Sequence, residues 1–229
     1  MILKAEAVTK KYFRKSSESN FFYAVSETTL ELREGSITEI TGRSGSGKST
    51  LLNMLAGLLR PSSGRVLLGE TDIYSLKDKE LSRLRNSSIG VIPQGQTGLD
   101  SLTVIENVIL PSVLYKVSLN SEERAMELLE KVGIAQLAHS YPKELSGGEL
   151  RRLAIARALI NSPAVLLADE PTGDLDDENT KLVLELLRNF ADDGVSVLLV
   201  THEAEAEKYA DVIYRMNAGK PDQIKGRPG

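Results

Sequence analysis

The sequence predicts an α/β fold, a mainly parallel sheet with helices on both faces. Three observations carry that prediction. Residues 165–168 (Val-Leu-Leu-Ala) and 195–200, the latter interrupted only by Ser196, are apolar runs of strand length, the pattern of strands covered on both faces. Strand and helix patterns alternate at both ends of the chain, as parallel strands require of their connections. A glycine-rich turn also joins a strand at 37–41 to a helix at 49–59, the place where open α/β sheets receive ligands.

The first sixty residues read as strand-rich, then a loop, then a helix. Ile37-Thr38-Glu39-Ile40-Thr41 alternates apolar and polar positions. The helix at 49–59 puts Leu51, Leu52, Leu55, Leu58 and Leu59 on one broad face and stops before Pro61. Ser62-Ser63-Gly64 is a turn and 65–68 a short strand; 77–85 is a charged surface helix leading to a strand at 89–92. From 103 to 159 the periodicity is helical, with Met126, Leu129 and Val132 at spacings of three and Leu153, Ala154, Ala158 and Leu159 on a second helix. A leucine stripe marks a further helix at 180–190. The chain therefore divides into an α/β core (1–97 and 161–220) that includes a β subdomain, and a helical insertion at 98–160. Residues 221–229, polar and with Pro221 and Pro228, read as a frayed tail.

With 229 residues, 41% hydrophobic and 26% charged, the chain can bury the core of one large domain. A net charge of −4 supplies no overall basic field for phosphate neutralisation, so no nucleic-acid partner is expected. Cysteine is absent, which excludes disulfides, thiolate metal sites and cysteine nucleophiles. No apolar run follows Lys4, so the start does not read as a signal peptide. The longest apolar runs fall far short of the ~20 residues that span a bilayer. The expectation is a soluble chain that reaches a membrane only through a partner.

Gly42, Arg43, Ser44, Gly45, Ser46, Gly47, Lys48 and Ser49 fit the G-x-x-x-x-G-K-[ST] pattern, with a strand before and a helix after, continuing into Thr50. The glycines let backbone N–H groups curl around phosphates, and the helix N-terminus adds partial positive charge. Lys48 would reach the β- and γ-phosphates, and the Ser49 hydroxyl would bind Mg²⁺. A second signal lies at the end of the 165–168 run. Asp169 would hold Mg²⁺ there, and Glu170 would polarise an attacking water as general base. His202 follows the 195–200 strand at the corresponding end, whereas His139 has no such placement and reads as structural.

Leu145-Ser146-Gly147-Gly148-Glu149 closely resembles the LSGGQ signature of ABC ATPases. The order of motifs over nearly the whole chain is similar to that family. Tyr12 matches its adenine-stacking aromatic, with Phe13 and Tyr23 as competitors. Gln94 matches the Q-loop glutamine, a ligand on the metal side, with Gln96 as a competitor after Ile92-Pro93. Gly173-Asp174-Leu175-Asp176 resembles the D-loop, and His202 the switch histidine that contacts the γ-phosphate. The resemblance implies a P-loop NTPase fold of the RecA-like kind, ATP and Mg²⁺ as cofactors, and catalysis by Glu170, His202 and Lys48. It further implies a second ATPase subunit facing the first head to tail, a homodimer before a heterodimer. Ser146, Gly147, Gly148 and Glu149 would then close on the partner's nucleotide. Glu149 departs from the commonest signature, which has glutamine.

The run from Ala168 to Asp176, with Gly47-Lys48-Ser49-Thr50-Leu51-Leu52-Asn53, looks like the group serving lipoprotein release and the export of macrolides and antimicrobial peptides. That implies an integral membrane permease as partner and a peripheral place on the cytoplasmic face of the cell membrane. The alternative is a soluble ABC ATPase acting on nucleic acid, ribosomes or cofactor assembly. A GTPase or kinase is disfavoured because no guanine-reading Asn-Lys-x-Asp occurs.

Overall fold

A computed structural model describes residues 3–13, 21–95, 98–115 and 120–226. Two sheets organise the chain. The first is antiparallel, in the order β2-β1-β4-β5, from β1 (Leu3–Phe13), β2 (Phe21–Leu32), β4 (Ser63–Leu68) and β5 (Thr71–Asp72). The second runs β10-β9-β3-β8-β7-β6, from β3 (Ile37–Thr41), β6 (Ile89–Ile92), β7 (Val165–Asp169), β8 (Ser196–Val200), β9 (Val212–Asn217) and β10 (Lys220–Lys225). Its pairings are parallel except that of β9 with β10. The helices are α1 (Lys48–Leu55), α2 (Asp78–Ser88), α3 (Val104–Tyr115), α4 (Ser121–Lys131), α5 (Gly147–Leu159) and α6 (Asp177–Asp192). None of them is long and apolar enough to cross a membrane.

Every residue of β7 and β8 is buried because the large sheet has a core on each face. One core takes Ile37, Leu166, Ala168, Val197 and Leu199 with the inward faces of α3, α4, α5 and α6. The other takes Ile40, Leu167, Leu198 and Val200 with α1 and the antiparallel sheet. Side-chain alternation along β3 puts Glu39 on the same face as Ile37, where it is fully buried. Ile92 pairs with Ala168, Asp169 with Val200, and Ile40 with Val200. The C-terminal ends of β3, β6, β7 and β8 therefore lie along one edge, where an open parallel sheet presents its loops.

Two local expectations need correction. The helix predicted over 49–59 ends at Leu55, because Gly57 takes φ +68° and closes a Schellman motif. In it, the Gly57 N–H donates to Met54 O and the Leu58 N–H to Asn53 O, which turns Leu58 out to solvent, 56% exposed. The tail predicted from 221 is instead ordered through Lys225 as an edge strand. Ala218 and Gly219, both at positive φ, form the two-residue hairpin loop that turns β9 back into β10. Pro221 is tolerated because β10 lies at the sheet edge.

Candidate functional site

The strand ends converge on a cleft of about 840 Å³. The 42–49 loop forms its floor, with Thr50, Gln94, Glu170 and His202 also lining it. Gly47 caps α1 at φ +107° without a side-chain bond, so the first N–H groups of the helix face the cleft unclaimed by a cap. A Cβ on Gly47 would run into the Ala24 carbonyl, and one on Gly42 would meet Met216 O. The loop is thus wrapped tightly from behind and open in front. The Ser46 hydroxyl is buried in it without a hydrogen-bond partner, as a group awaiting a ligand oxygen would be. Gly47→Ala is expected to weaken nucleotide binding roughly 10- to 100-fold through backbone strain and overpacking. Titration with a fluorescent ATP analogue, beside thermal unfolding, checks this.

Lys48 is buried, and its Nζ donates to Gly42 O at 2.8 Å and Arg43 O at 3.3 Å. Across the cleft Glu170 Oε1 lies 3.9 Å from that ammonium, while Glu170 Oε2 is 2.9 Å from His202 Nδ1. The Glu170 backbone sits at φ +48°, and its N–H donates to Val200 O at 2.8 Å, which joins the β7 and β8 ends. A non-glycine residue held in that region is aimed by its surroundings. Ser49 Oγ donates to Asp169 Oδ1 at 3.0 Å. Burial raises the Asp169 carboxyl above its ordinary pKa, helped by the nearby Glu170 charge and opposed by the Ser49 bond and the Lys48 charge. The Ser49 hydroxyl and the Asp169 carboxylate bonded to it are hard oxygen donors of the kind magnesium takes, and Gln94, with its amide oxygen, lines the same cleft as Ser49. No cluster of three or more His, Cys, Asp or Glu that could hold a metal exists among the described residues.

Aromatic rings close the other end of the cleft. Tyr12 and Phe22 stand 5.9 Å apart across the β1–β2 hairpin, and Tyr23 lines the cleft beside them. Phe13, a sequence candidate for stacking, is 84% exposed and does not line it. Gln96 lies outside the described residues. Phe22, Ala24, Ala218 and Gly219 also border the cleft and were missed in the sequence, where only the small-residue turn after Asn217 hinted at the last two.

Asp169 does not itself line the cleft but is bonded to Ser49, which does, whereas Ser146, Gly147, Gly148 and Glu149 lie outside it. Ser146 caps α5 in a capping box: Glu149 Oε2 accepts from Ser146 N at 2.7 Å and from Ser146 Oγ at 2.8 Å. Those bonds lower the Glu149 pKa. A glutamine carbonyl could accept the same pair, so the structural part of the signature survives the change to Glu149.

Residues 25–173 match the family model described as ABC transporter. The chain belongs to the ABC transporter family. It is an ATPase subunit of that family. An ATP-binding protein of the lipoprotein-releasing system, LolD from Buchnera aphidicola, is 40% identical over 222 residues, 96% of each chain. The methionine import ATP-binding protein MetN from Rhizobium meliloti is 45% identical over 205 residues, 89% of this chain and 57% of that protein. Among solved structures, the dimeric MJ0796 cassette superposes with TM-score 0.88 at 34% identity, covering 99% of this chain and 100% of that one. A second MJ0796 structure, a dimeric post-hydrolysis state bound to ADP and Pi, also gives TM-score 0.88. The ABC fold of this ATPase is therefore that of a nucleotide-binding cassette.

Proposed function

We propose that the chain binds ATP with magnesium in the cleft, closes head to tail on a second ATPase subunit, and drives a separate membrane permease. The observation that carries this reading is the division of the motifs. Phosphate-binding and water-activating groups share one cleft, while Ser146, Gly147 and Gly148 stand outside it at the start of α5. A second copy, turned head to tail, brings such a helix start over the cleft mouth, and its N–H groups suit a γ-phosphate.

Each side chain then has a task. The 42–49 N–H groups and Lys48 bind the phosphates, and Tyr12 stacks on the base. Ser49, Asp169 and Gln94 would hold the magnesium ion, which when bound would supply neutralising charge at the phosphates. Glu170 takes the proton of the attacking water, and His202, fixed by its bond to that carboxylate, faces the leaving γ-phosphate. The likeness to a lipoprotein-releasing ATPase over 96% of each chain supports an export-type complex at the inner face of the cell membrane.

Affinity purification of the full chain from detergent-solubilised membranes, with bound proteins identified by mass spectrometry, tests the assignment. Stoichiometric recovery of a polytopic membrane protein is the expected result. Recovery of soluble or nucleic-acid partners alone would move the protein to the soluble ABC ATPases.

A further inference from the structure

Arg151 is buried on α5, about one helical turn beyond the Ser146 cap. Its Nη1 donates to Pro93 O at 3.2 Å and to Gly95 O at 3.4 Å. Gln94 lies between these two carbonyls and faces the cleft. The parallel ladder that fixes β6 stops at Ile92, paired with Ala168. Just beyond it the backbone turns at Gly95 (φ +87°), where no atom lies close enough to brace an added Cβ. The guanidinium thus grips this turn past the end of the sheet. Burial disfavours the guanidinium's charge, and the carboxylate of Asp174, in the turn after Glu170, offsets part of that effect.

We propose that Arg151 is a positioning residue for Gln94, tying the backbone on either side of that glutamine to the helix that carries Ser146, Gly147 and Gly148. The guanidinium holds the two N–H groups of Nη1 in one fixed plane and stays charged when buried, which suits the paired carbonyls better than a flexible ammonium does. Desolvating a guanidinium is costly, so its placement here favours a specific geometry over bulk stability. A swing of α5 against the sheet would be passed to the backbone around Gln94 by this side chain as well as by the packing of α5 on β6. The cleft and the signature helix are therefore linked within one subunit, before a partner arrives. The inference rests on the reading of Gln94 as a metal-side group.

The test uses the full chain as Arg151→Met, Arg151→Lys, Gln94→Ala and the double variant Arg151→Met/Gln94→Ala. Hydrogen exchange is followed by mass spectrometry, and ATP affinity is measured without magnesium. Arg151→Met is expected to speed exchange around 93–95 and leave the 42–49 segment and ATP affinity within about two-fold of wild type. Its kcat is expected to fall about ten-fold, the scale of a misplaced catalytic group, with Arg151→Lys recovering part of the loss. The double variant is expected to be no slower than the slower single variant, since both changes act on one unit. Losses that multiply, or unchanged exchange at 93–95 in both Arg151 variants, would overturn the proposal. Absence of magnesium-dependent turnover in the wild type would sink the ATPase reading instead, and the exchange data would still decide Arg151.

Discussion

A Glu170→Gln variant is expected to bind ATP as the wild type does and to turn it over about a thousand-fold more slowly, roughly 4 kcal/mol of lost transition-state stabilisation. The geometry gives the reason. Glu170 is buried, with one oxygen 3.9 Å from Lys48 Nζ and the other 2.9 Å from His202 Nδ1. Glutamine keeps the volume and a hydrogen-bonding face but has no basic oxygen pair to take a proton from water. In the proposed binding mode the nucleotide contacts come mainly from the 42–49 loop, whose backbone the substitution leaves unchanged although Lys48 loses a nearby negative charge. With hydrolysis blocked, ATP should hold two subunits together, and size-exclusion chromatography should show a dimer that is absent without nucleotide. Single-turnover phosphate release measures the rate directly. Release at the wild-type rate would remove Glu170 from the role of base.

The second large effect concerns stability. Glu39 is fully buried in β3, and neither carboxylate oxygen has a hydrogen-bond partner. Burial pushes its pKa from 4.5 up to about 7; the Glu207 carboxylate adds to the rise and the Lys225 ammonium opposes it. The folded state therefore holds a proton that the unfolded chain has already released. Stability from this group is fully present below pH 4.5 and is lost as pH rises through about 7. The loss across that window is about 3 kcal/mol. Urea unfolding at pH 5 and pH 8 should show the decline in the wild type. Glu39→Gln, which has no charge to bury, should flatten it and be the more stable protein at pH 8. Parallel pH profiles for the two proteins would show that another group is responsible.

Glu39 also marks where sequence reading stops. Its strand was predicted correctly, but the apolar–polar alternation of 37–41 implies a half-exposed strand, whereas helices cover one face of β3 and α1 with the antiparallel sheet covers the other. Period reports the element; only the neighbours report its environment. The runs at β7 and β8 were legible because two-sided burial removes alternation altogether. The β1–β2 pairing was less so, since register shifts at Ala5/Val8, Val8/Lys10 and Lys10/Lys11 break the two-residue period. β10 was illegible for a related reason: an edge strand of Lys, Pro, Asp and Gln buries too little to leave a pattern. The place of the 42–49 loop between β3 and α1 was legible because its motif is local and uses adjacent residues. Arg151 was not, because its acceptors are backbone carbonyls 56 and 58 positions away, which no side-chain motif encodes.

The turn at Ala218-Gly219 has a consequence for how the protein comes into being. Gly219 N–H donates to Ser46 O at 2.9 Å, and Gly219 O accepts from Ser26 N–H at 2.8 Å, so the hairpin clasps the phosphate loop to β2. On the ribosome that clasp is made on the order of 170 residues after the loop itself, roughly ten to thirty seconds later at ordinary elongation rates. β3, at the middle of the large sheet, likewise waits for β8 and β9, whereas β1, β2, β4 and β5 all lie within residues 3–72. A nascent chain can thus assemble its small sheet early while the ATP-binding loop stays unfinished. Completion of the 42–49 loop is deferred until the chain has emerged past residue 219.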